Sequence, residues 1–300
     1  MEQILQVADC QACESDNLAH YMDLKDFFLS GESFSILECK KCGLLITTPR
    51  PLEQDLSRYY QSDDYISHSN KQSDIVSRLY QWVRNYTLSR KVKILKRFSA
   101  GKNILDLGCA TGEFLAKCKH SGYNVSGIEP DLKARTFAQQ SHGLEVHSLA
   151  DLDKLAPESF DIITQWHVLE HVSDLNARFE VMSKLLKKDG VCIVALPNPN
   201  AADAKHYKKY WAAYDVPRHL FHFRRHALIF LANKFDFSVS AILPMKFDSY
   251  YVSLLSEKYI TGKPNYFKAF LWGLKSNLKA RSGNGEYSSL IYVLKKTYSA

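Results

Sequence analysis

The sequence lacks a long hydrophobic run. Its 300 residues contain no uninterrupted apolar stretch of about 18 residues or more, so no transmembrane helix is indicated. The first ten residues, MEQILQVADC, have neither a basic start nor an apolar core, and we therefore expect no signal peptide and a cytoplasmic location. The net charge of +7 is mild for this length, and most of it lies in residues 246–300.

Two phosphate-binding motifs are also missing. The pattern G-x-G-x-x-G would need glycines where this chain has Gly108, Ala110 and Glu113, and a carboxylate there would repel a pyrophosphate. No Lys-Ser/Thr pair follows, which excludes a P-loop. The glycines present, Gly108 and Gly112, form a tight loop without a phosphate grip, which suits a nucleoside cofactor such as S-adenosylmethionine. Glu129, about 20 residues later, would accept hydrogen bonds from both ribose hydroxyls.

The seven cysteines are an odd number, and their spacing favours a metal site with buried thiols over disulfides. Four of them form two C-x-x-C pairs, Cys10 with Cys13 and Cys39 with Cys42. Four thiolates suit tetrahedral zinc in a closed, structural site. The spacer between the pairs is predicted to hold a short hairpin of FFLS and FSILEC.

The central part of the chain alternates strand and helix patterns. The predicted strands are NILDLG, YNVSGIEP, LEVHS, FDIITQW and GVCIVALPN. This alternation predicts an α/β fold with a parallel sheet covered on both faces. Ligands of such sheets bind at the carboxyl ends of the strands, so we expect the site at that edge.

Four segments then resemble the successive motifs of class I S-adenosylmethionine-dependent methyltransferases: ILDLGCATGEF, GIEPD, FDIITQWHVLEHV and GVCIVALPN. The similarity covers roughly residues 75–245 and is specific because the four motifs stand in the right order. It implies a Rossmann-like sheet of seven strands whose last strand, SSLIYVLKK, is antiparallel. The cysteine pairs are similar to those ahead of some bacterial sugar C-methyltransferases.

The same resemblance implies where the cofactor lies. Asp106 would lie near its methionine end, Glu129 would hold the ribose, and 149–151 would lie beside the adenine. The family's middle loop glycine is Ala110 here. The candidate cofactor-binding residues are Asp106, Gly108, Ala110, Gly112, Glu129, Pro130, Leu149, Asp151, Trp166 and Tyr65.

Several histidines could act as a general base, which helps if the acceptor is a hydroxyl or an acidic carbon. The first candidate is His219 in the run DVPRHLFHF, and the second is His167 at the end of the fourth predicted strand. Residues 167–171, HVLEH, also match the H-x-x-E-H spacing of one class of zinc peptidases. We expect His167 instead to face the cofactor or acceptor, with Glu170 and His171 fixing the turn by hydrogen bonds.

Three regions are predicted along the chain: a zinc ribbon (1–50), a helical cap (51–98) and a methyltransferase domain (99–300) with an insertion at 246–287. A basic amphipathic helix in the insertion, within 263–281, would pack on its own domain, contact a second subunit in a homodimer, or lie on a membrane surface. The predicted function is methyl transfer to a small molecule, such as a sugar nucleotide or a lipid-linked metabolite. The alternatives are an RNA methyltransferase and a non-catalytic cofactor-binding module; nucleic acid is the less favoured partner because the basic residues are diffuse.

Overall fold

The computed structural model describes residues 4–60 and 75–297. In chain order the strands are β1 (Ile4–Leu5), β2 (Leu18–Lys25), β3 (Ser33–Cys39), β4 (Leu45–Thr48), β5 (Arg50–Pro51), β6 (Asn103–Leu107), β7 (Asn124–Ile128), β8 (Glu145–His147), β9 (Phe160–Trp166), β10 (Leu186–Pro197), β11 (Phe221–His222), β12 (Phe237–Pro244) and β13 (Ser289–Lys296). The α-helices are α1 (Glu53–Leu56), α2 (Ile75–Phe98), α3 (Glu113–His120), α4 (Leu132–His142), α5 (Leu175–Leu185), α6 (Ala202–Tyr207), α7 (Arg225–Lys234), α8 (Asp248–Thr261) and α9 (Tyr266–Ser282). Short 3-10 helices include Leu149–Lys154 and Leu169–His171.

Seven strands form the central sheet in the order β12-β13-β10-β9-β6-β7-β8. β6, β7, β8, β9 and β10 pair in parallel, whereas β13 is antiparallel to both β10 and β12. Buried apolar residues run through β6 and β10, as expected for strands covered on both faces. The predicted α/β fold with an antiparallel last strand is therefore confirmed.

A second sheet of four antiparallel strands, in the order β11-β4-β3-β2, forms the ribbon. FFLS is not a strand, contrary to the prediction, and lies in the turn between β2 and β3. The reason is Asp26, whose carboxylate accepts the backbone N–H groups of Phe28, Leu29 and Ser30 and so bends the chain. β11 reaches this sheet from far along the chain.

The ribbon packs directly on the larger domain. The four paired cysteines belong to the same buried apolar cluster as Leu107, Leu169 and Phe223. Gln11, between two of these cysteines, hydrogen-bonds Ser173 O at 2.9 Å and accepts the Leu175 N–H at 3.1 Å. These contacts hold the ribbon beside the carboxyl edge of β9.

Two helices, α8 and α9, fill the predicted insertion between β12 and β13. The predicted helix in the cap is present as α2. Tyr65, named above as a cofactor contact, lies outside the described residues. Within the part of the chain that the structure describes, no helix is both long and apolar enough to cross a membrane.

Candidate active site

The loop between β6 and α3 adopts the tight conformation that its glycines allow. Gly108 has φ +80° and Gly112 has φ +83°, in the left-handed region. A Cβ at Gly108 would lie 2.6 Å from Val168 Cγ2, so the loop packs directly on the turn after β9. Ala110 also has a positive φ of 48°, although it carries a Cβ. The backbone therefore keeps the glycine-loop shape at the position where the family glycine is replaced.

Glu129 follows β7 and is buried beside this loop. Its carboxylate accepts the N–H of Ala110 at 2.8 Å and the N–H of Asp131 at 2.9 Å. Burial raises the pKa of Glu129, and these two amides oppose the rise. Each carboxylate oxygen retains a lone pair for a further donor, which is what a ribose diol would need. Pro130 lies between Glu129 and Asp131, the N-cap of α4.

Asp106 is buried in β6 and accepts a hydrogen bond from Thr164 Oγ1 at 2.5 Å. Burial raises the pKa of Asp106 to about 6, although Thr164 and the ammonium of Lys91 favour the ionised form. Lys91, on α2, places its Nζ 4.3 Å from the centre of the Trp166 ring. Helix α2 thus brings a cation to the same edge of the sheet.

Trp166 ends β9 with its ring edge-on to Phe114, at a centroid distance of 5.3 Å. Its indole N–H is buried and makes no hydrogen bond to the described residues. Because buried donors are nearly always paired, this orphaned N–H points to an acceptor that a ligand would supply.

Leu149 is exposed, whereas the Asp151 carboxylate caps its own 3-10 turn through Ser148. Of the residues predicted to lie beside the adenine, Leu149 is thus exposed, whereas the Asp151 side chain is used within its own turn.

His167 lies at the strand-to-helix turn with φ +58°, and so it is not helical. Its Nε2 is 3.1 Å from Asp248 Oδ2 and its Nδ1 is 3.4 Å from Glu170 Oε1. Burial lowers the pKa of His167, but the two carboxylates outweigh it and raise the pKa to about 9. His167 is therefore a cation at neutral pH. A peptidase-type H-x-x-E-H needs its first histidine on the helix, and this geometry does not provide it.

His171 and His219 face each other with ring centroids 4.5 Å apart. His171 Nδ1 is 3.0 Å from Arg218 O, and His219 Nδ1 is 2.9 Å from Ala213 O. Because a carbonyl only accepts, each Nδ1 donates in these two contacts, although the Tyr60 hydroxyl also lies 3.1 Å from His171 Nδ1. His219 Nε2 faces Asp215 Oδ2 at 4.0 Å. Burial, with the neighbouring His219, lowers the pKa of His171 to about 4. His171 is thus neutral at physiological pH.

Glu170 is 1% exposed, and its Oε1 forms an ion pair with His167 Nδ1 at 3.4 Å without strict hydrogen-bond geometry. Its backbone carbonyl accepts the Leu220 N–H at 2.8 Å, which ties this turn to the segment that follows His219. Ligand atoms of Glu170, His171 and His219 lie within 4.8 Å of one another. Two imidazoles and a carboxylate form a set that can hold a divalent transition metal.

The ribbon contacts the loop that carries His219 and holds it in place. Arg218, 1% exposed, pairs with Asp26 at 2.8 Å and with Asp215 at 2.7 Å. Thr47 of β4 donates its hydroxyl to His219 O at 2.7 Å. These contacts leave no local pattern in the sequence, because Asp26 and Arg218 stand 192 residues apart.

The four paired cysteines come together as predicted. Cys10 Sγ is 3.5 Å from Cys42 Sγ, Cys13 Sγ is 3.4 Å from Cys39 Sγ, and all four sulfurs lie within 4.8 Å of one another. Tetrahedral zinc with Zn–S bonds of about 2.3 Å separates its sulfurs by about 3.8 Å, so the donor set fits that ion. All seven cysteines are free of disulfides.

A family model described as a methyltransferase domain matches residues 80–242, more than half of the chain. The chain belongs to this methyltransferase family. The match includes the glycine loop, Glu129 and the histidine turn after β9. It confirms the resemblance to class I S-adenosylmethionine-dependent methyltransferases that the four motifs indicated.

Curated relatives of this methyltransferase-family chain are named ubiquinone biosynthesis O-methyltransferase. The protein of Rhodopseudomonas palustris is 32% identical over 116 residues, which cover 37% of this chain and 46% of the relative. The protein of Psychrobacter cryohalolentis is 32% identical over 126 residues, which cover 39% and 49%. The chain thus spans about half the length of the curated relatives that it matches.

Solved methyltransferase structures share the fold. A SAM-dependent methyltransferase from Archaeoglobus fulgidus has a TM-score of 0.50 at 17% identity, covering 71% of this chain and 94% of that chain. Magnesium protoporphyrin IX methyltransferase from Synechocystis PCC 6803, solved with bound SAH, has a TM-score of 0.50 at 15% identity, covering 81% and 93%. At these identities the likeness concerns the fold alone.

Proposed function

We propose that this protein transfers a methyl group from S-adenosylmethionine to an oxygen of a small-molecule acceptor, with His219 as the general base. The observation that carries the proposal is the packing of Val168 against Gly108. This contact joins the glycine loop to the turn that holds His167 and His171. A cofactor on the loop and an acceptor at the histidines would then be neighbours, and alignment of two reactants alone can contribute about 7–11 kcal/mol.

The residues of this edge fit S-adenosylmethionine. Glu129 would accept from the ribose hydroxyls, Gly108 would let the backbone approach, and the orphaned Trp166 N–H would donate to the bound molecule. When bound, the cofactor supplies a methyl group already activated on its sulfonium. The protein's own task is then to orient the acceptor and to remove its proton.

The two histidines predicted as bases are not equivalent. His167 is held as a cation between Asp248 and Glu170, so it has no free lone pair and serves as a donor or as a positive charge. In neutral His219, Nδ1 donates to Ala213 O and Nε2 carries the lone pair, with the Asp215 carboxylate 4.0 Å from Nε2. His219 can therefore accept a proton from an acceptor hydroxyl.

The class of acceptor is a finer proposal. The names of the curated relatives support an oxygen as the methylated atom. We propose a hydroxyl on a small metabolite, with sugar nucleotides and lipid-linked metabolites as the two classes to test. RNA is less favoured because Lys40 of the ribbon pairs with Glu38, and the same carboxylate also binds Arg224. One lysine of the Lys40–Lys41 pair is thus engaged with a carboxylate.

Transfer of label from methyl-tritiated S-adenosylmethionine tests the proposal with the full chain. Acceptor probes are catechol, UDP-glucose, a small-molecule cell extract and a tRNA pool, each with and without EDTA because Glu170, His171 and His219 form a metal-type ligand set. We expect label in small molecules. Label in tRNA alone would support the RNA alternative, and S-adenosylhomocysteine binding by calorimetry without any transfer would indicate a binding module.

We also propose that the four cysteines hold a structural zinc, and that the chain divides into a ribbon (1–50), a helical cap (51–98) and a methyltransferase domain (99–300). The donor set and the sulfur separations support the zinc. Metal analysis of the purified chain should find zinc in a one-to-one ratio, and Cys39→Ser should lose it. Wild-type protein that is fully folded without zinc would contradict the proposal.

A further inference from the structure

Helix α9 buries its small residues and exposes most of its large apolar ones. Its buried side chains are Ala269, Ser276 and Ala280, together with Gly273. A Cβ at Gly273 would lie 2.6 Å from Tyr250 Cδ1, so this side packs closely on α8. An ordinary surface helix turns its large apolar residues toward the core. On α9 most of the large apolar residues face outward instead; the exception is Trp272, which is partly buried against the domain and stacks on His206.

The large apolar side chains form one stripe on the opposite side, which we call the outward stripe. They recur at intervals of three and four residues, so they share one face of the helix. The outward stripe consists of Phe267 (72% exposed), Phe270 (56%), Leu271 (46%), Leu274 (37%) and Leu278 (53%). Contiguous apolar surface of this kind marks an interaction site.

Aromatic side chains of neighbouring helices accompany the outward stripe. Phe270 stacks on Tyr250 of α8 with centroids 5.6 Å apart. One turn earlier, Phe247 meets Tyr86 of α2 edge-on at 5.5 Å, and Tyr86 stacks on Trp82 at 5.7 Å. Trp82 is 59% exposed. Amphipathic aromatic rings of this kind are enriched at membrane–water interfaces.

The charge of the segment that carries the outward stripe has a single sign. Between Glu257 and Glu286 the sequence has no acidic residue, and its basic residues are Lys258, Lys263, Lys268, Lys275, Lys279 and Arg281. Three of these lysines lie on α9: Lys268 and Lys275 between positions of the outward stripe and Lys279 directly after its last position. A second copy of the chain in a symmetric contact would bring two such segments together, and like charges would oppose that contact. An anionic bilayer complements the charge and takes up the apolar side chains.

We propose that α9 docks this protein on the surface of an anionic lipid bilayer, with the outward stripe in the headgroup–acyl boundary and the lysines among lipid phosphates. The helix lies in the membrane plane and does not cross it. Such an interface would place the domain beside lipid-linked molecules. The proposal for this surface rests only on the exposure and charge of α9 and on the aromatic side chains beside it. It therefore does not depend on the proposed methyl transfer.

Sedimentation of the full chain with vesicles tests the proposal. We expect binding to phosphatidylcholine vesicles that contain phosphatidylglycerol, weaker binding to pure phosphatidylcholine, and loss of binding at high salt. The variant Phe267→Ser/Leu271→Ser should bind about tenfold or more weakly, because binding scales with buried apolar area. Its control, Phe230→Ser, removes an exposed aromatic residue of α7 and should bind like wild type.

The charge contribution is tested separately. Lys268→Glu/Lys275→Glu/Lys279→Glu should abolish sedimentation with anionic vesicles, whereas three exposed lysines on other helices, changed in Lys117→Glu/Lys133→Glu/Lys184→Glu, should matter far less. Far-ultraviolet circular dichroism of each variant verifies folding. Equal binding of the two triple variants, or no vesicle binding by wild type, would overturn the proposal. A dimer that Phe267→Ser/Leu271→Ser dissociates, in protein that ignores vesicles, would assign the surface to a second copy.

Discussion

The two halves of the candidate site are built differently. The cofactor half comes mainly from two consecutive strand–loop units, 103–113 and 124–131, with Trp166 added from the end of β9. The histidine half is assembled from the turn after β9, the 215–219 loop and the start of α8, and the ribbon holds it from outside. Local sequence dictates the first half, whereas distant contacts create the second. A substitution in the cofactor half should therefore affect cofactor binding and leave the histidines in place, whereas a substitution in the ribbon should disturb the positions of the histidines.

The largest expected effect is in the histidine half. His219→Gln should lower kcat with the acceptor found in the transfer assay by about 10²–10⁴-fold, the usual contribution of a general base. The Kd of S-adenosylhomocysteine, measured by calorimetry, should change by less than about twofold, because His219 lies outside the cofactor half. His120→Gln, on the surface of α3, is the control. An unchanged kcat would remove His219 from the chemistry.

Glu129→Ala should give the corresponding loss in the cofactor half. The change removes a charged acceptor for the ribose and for the N–H groups of Ala110 and Asp131. Hydrogen bonds to charged groups contribute about 1.5–3 kcal/mol each, so we expect the Kd of S-adenosylhomocysteine to rise about 10²-fold. Glu145→Ala, at an exposed glutamate of the next strand, should leave the Kd unchanged. Equal Kd values for the two variants would place the ribose elsewhere.

Asp26→Asn tests whether the ribbon supports the histidine half. Arg218 is buried between Asp26 and Asp215, and loss of one carboxylate leaves its charge only partly compensated. We expect a loss of about 2 kcal/mol in the free energy of unfolding in urea, together with a lower kcat. Asp23→Asn, at an exposed position of the same hairpin, should cost much less. If Asp26→Asn weakened S-adenosylhomocysteine binding instead, the two halves would not be separate.

The pH dependence of His167 should give a smaller effect on stability. Its pKa is raised from 6.5 to about 9, so the folded state favours the protonated ring. That contribution is complete below 6.5 and is lost as the pH rises through about 9, so stability should fall across this window. Proton NMR of the imidazole should show a midpoint near 9, which Asp248→Asn should lower. A midpoint near 6.5 in wild type would mean that the ion pairs do not form in solution.

The contrast between the halves also explains what the sequence could predict. The glycine loop, Glu129 and the sheet order follow from contiguous patterns, because strand periodicity and loop glycines act locally. The four cysteines were predictable because each pair is local and the metal chemistry joins them. In these cases the residues of one short segment are enough to determine its local structure or its metal ligands.

The histidine half could be foreseen only as a group of candidates. H-x-x-E-H alone suggested a metal helix, but the predicted strand FDIITQW already ended at Trp166, and the structure places His167 in the turn that follows. The role of His171 depends on the carbonyl of Arg218, which in turn depends on Asp26 in the ribbon. Contacts over such separations leave no periodic signal, so the sequence named these residues without their partners.

The smallest expected effect concerns the one departure from the family loop, Ala110. Its φ of +48° costs an L-residue about 1 kcal/mol or more, and glycine would remove that cost. Glycine also loses about 0.5–1 kcal/mol more backbone entropy on folding, so Ala110→Gly should shift the melting temperature by only a few degrees. Ala110→Val should lower the melting temperature clearly and weaken S-adenosylhomocysteine binding, because a β-branched residue resists positive φ. The Ala110 N–H bonds Glu129, so a strained loop would misplace the ribose acceptor. If valine were tolerated as well as glycine, the loop would not require the left-handed conformation, and the cofactor half would be less strictly local than its motifs imply.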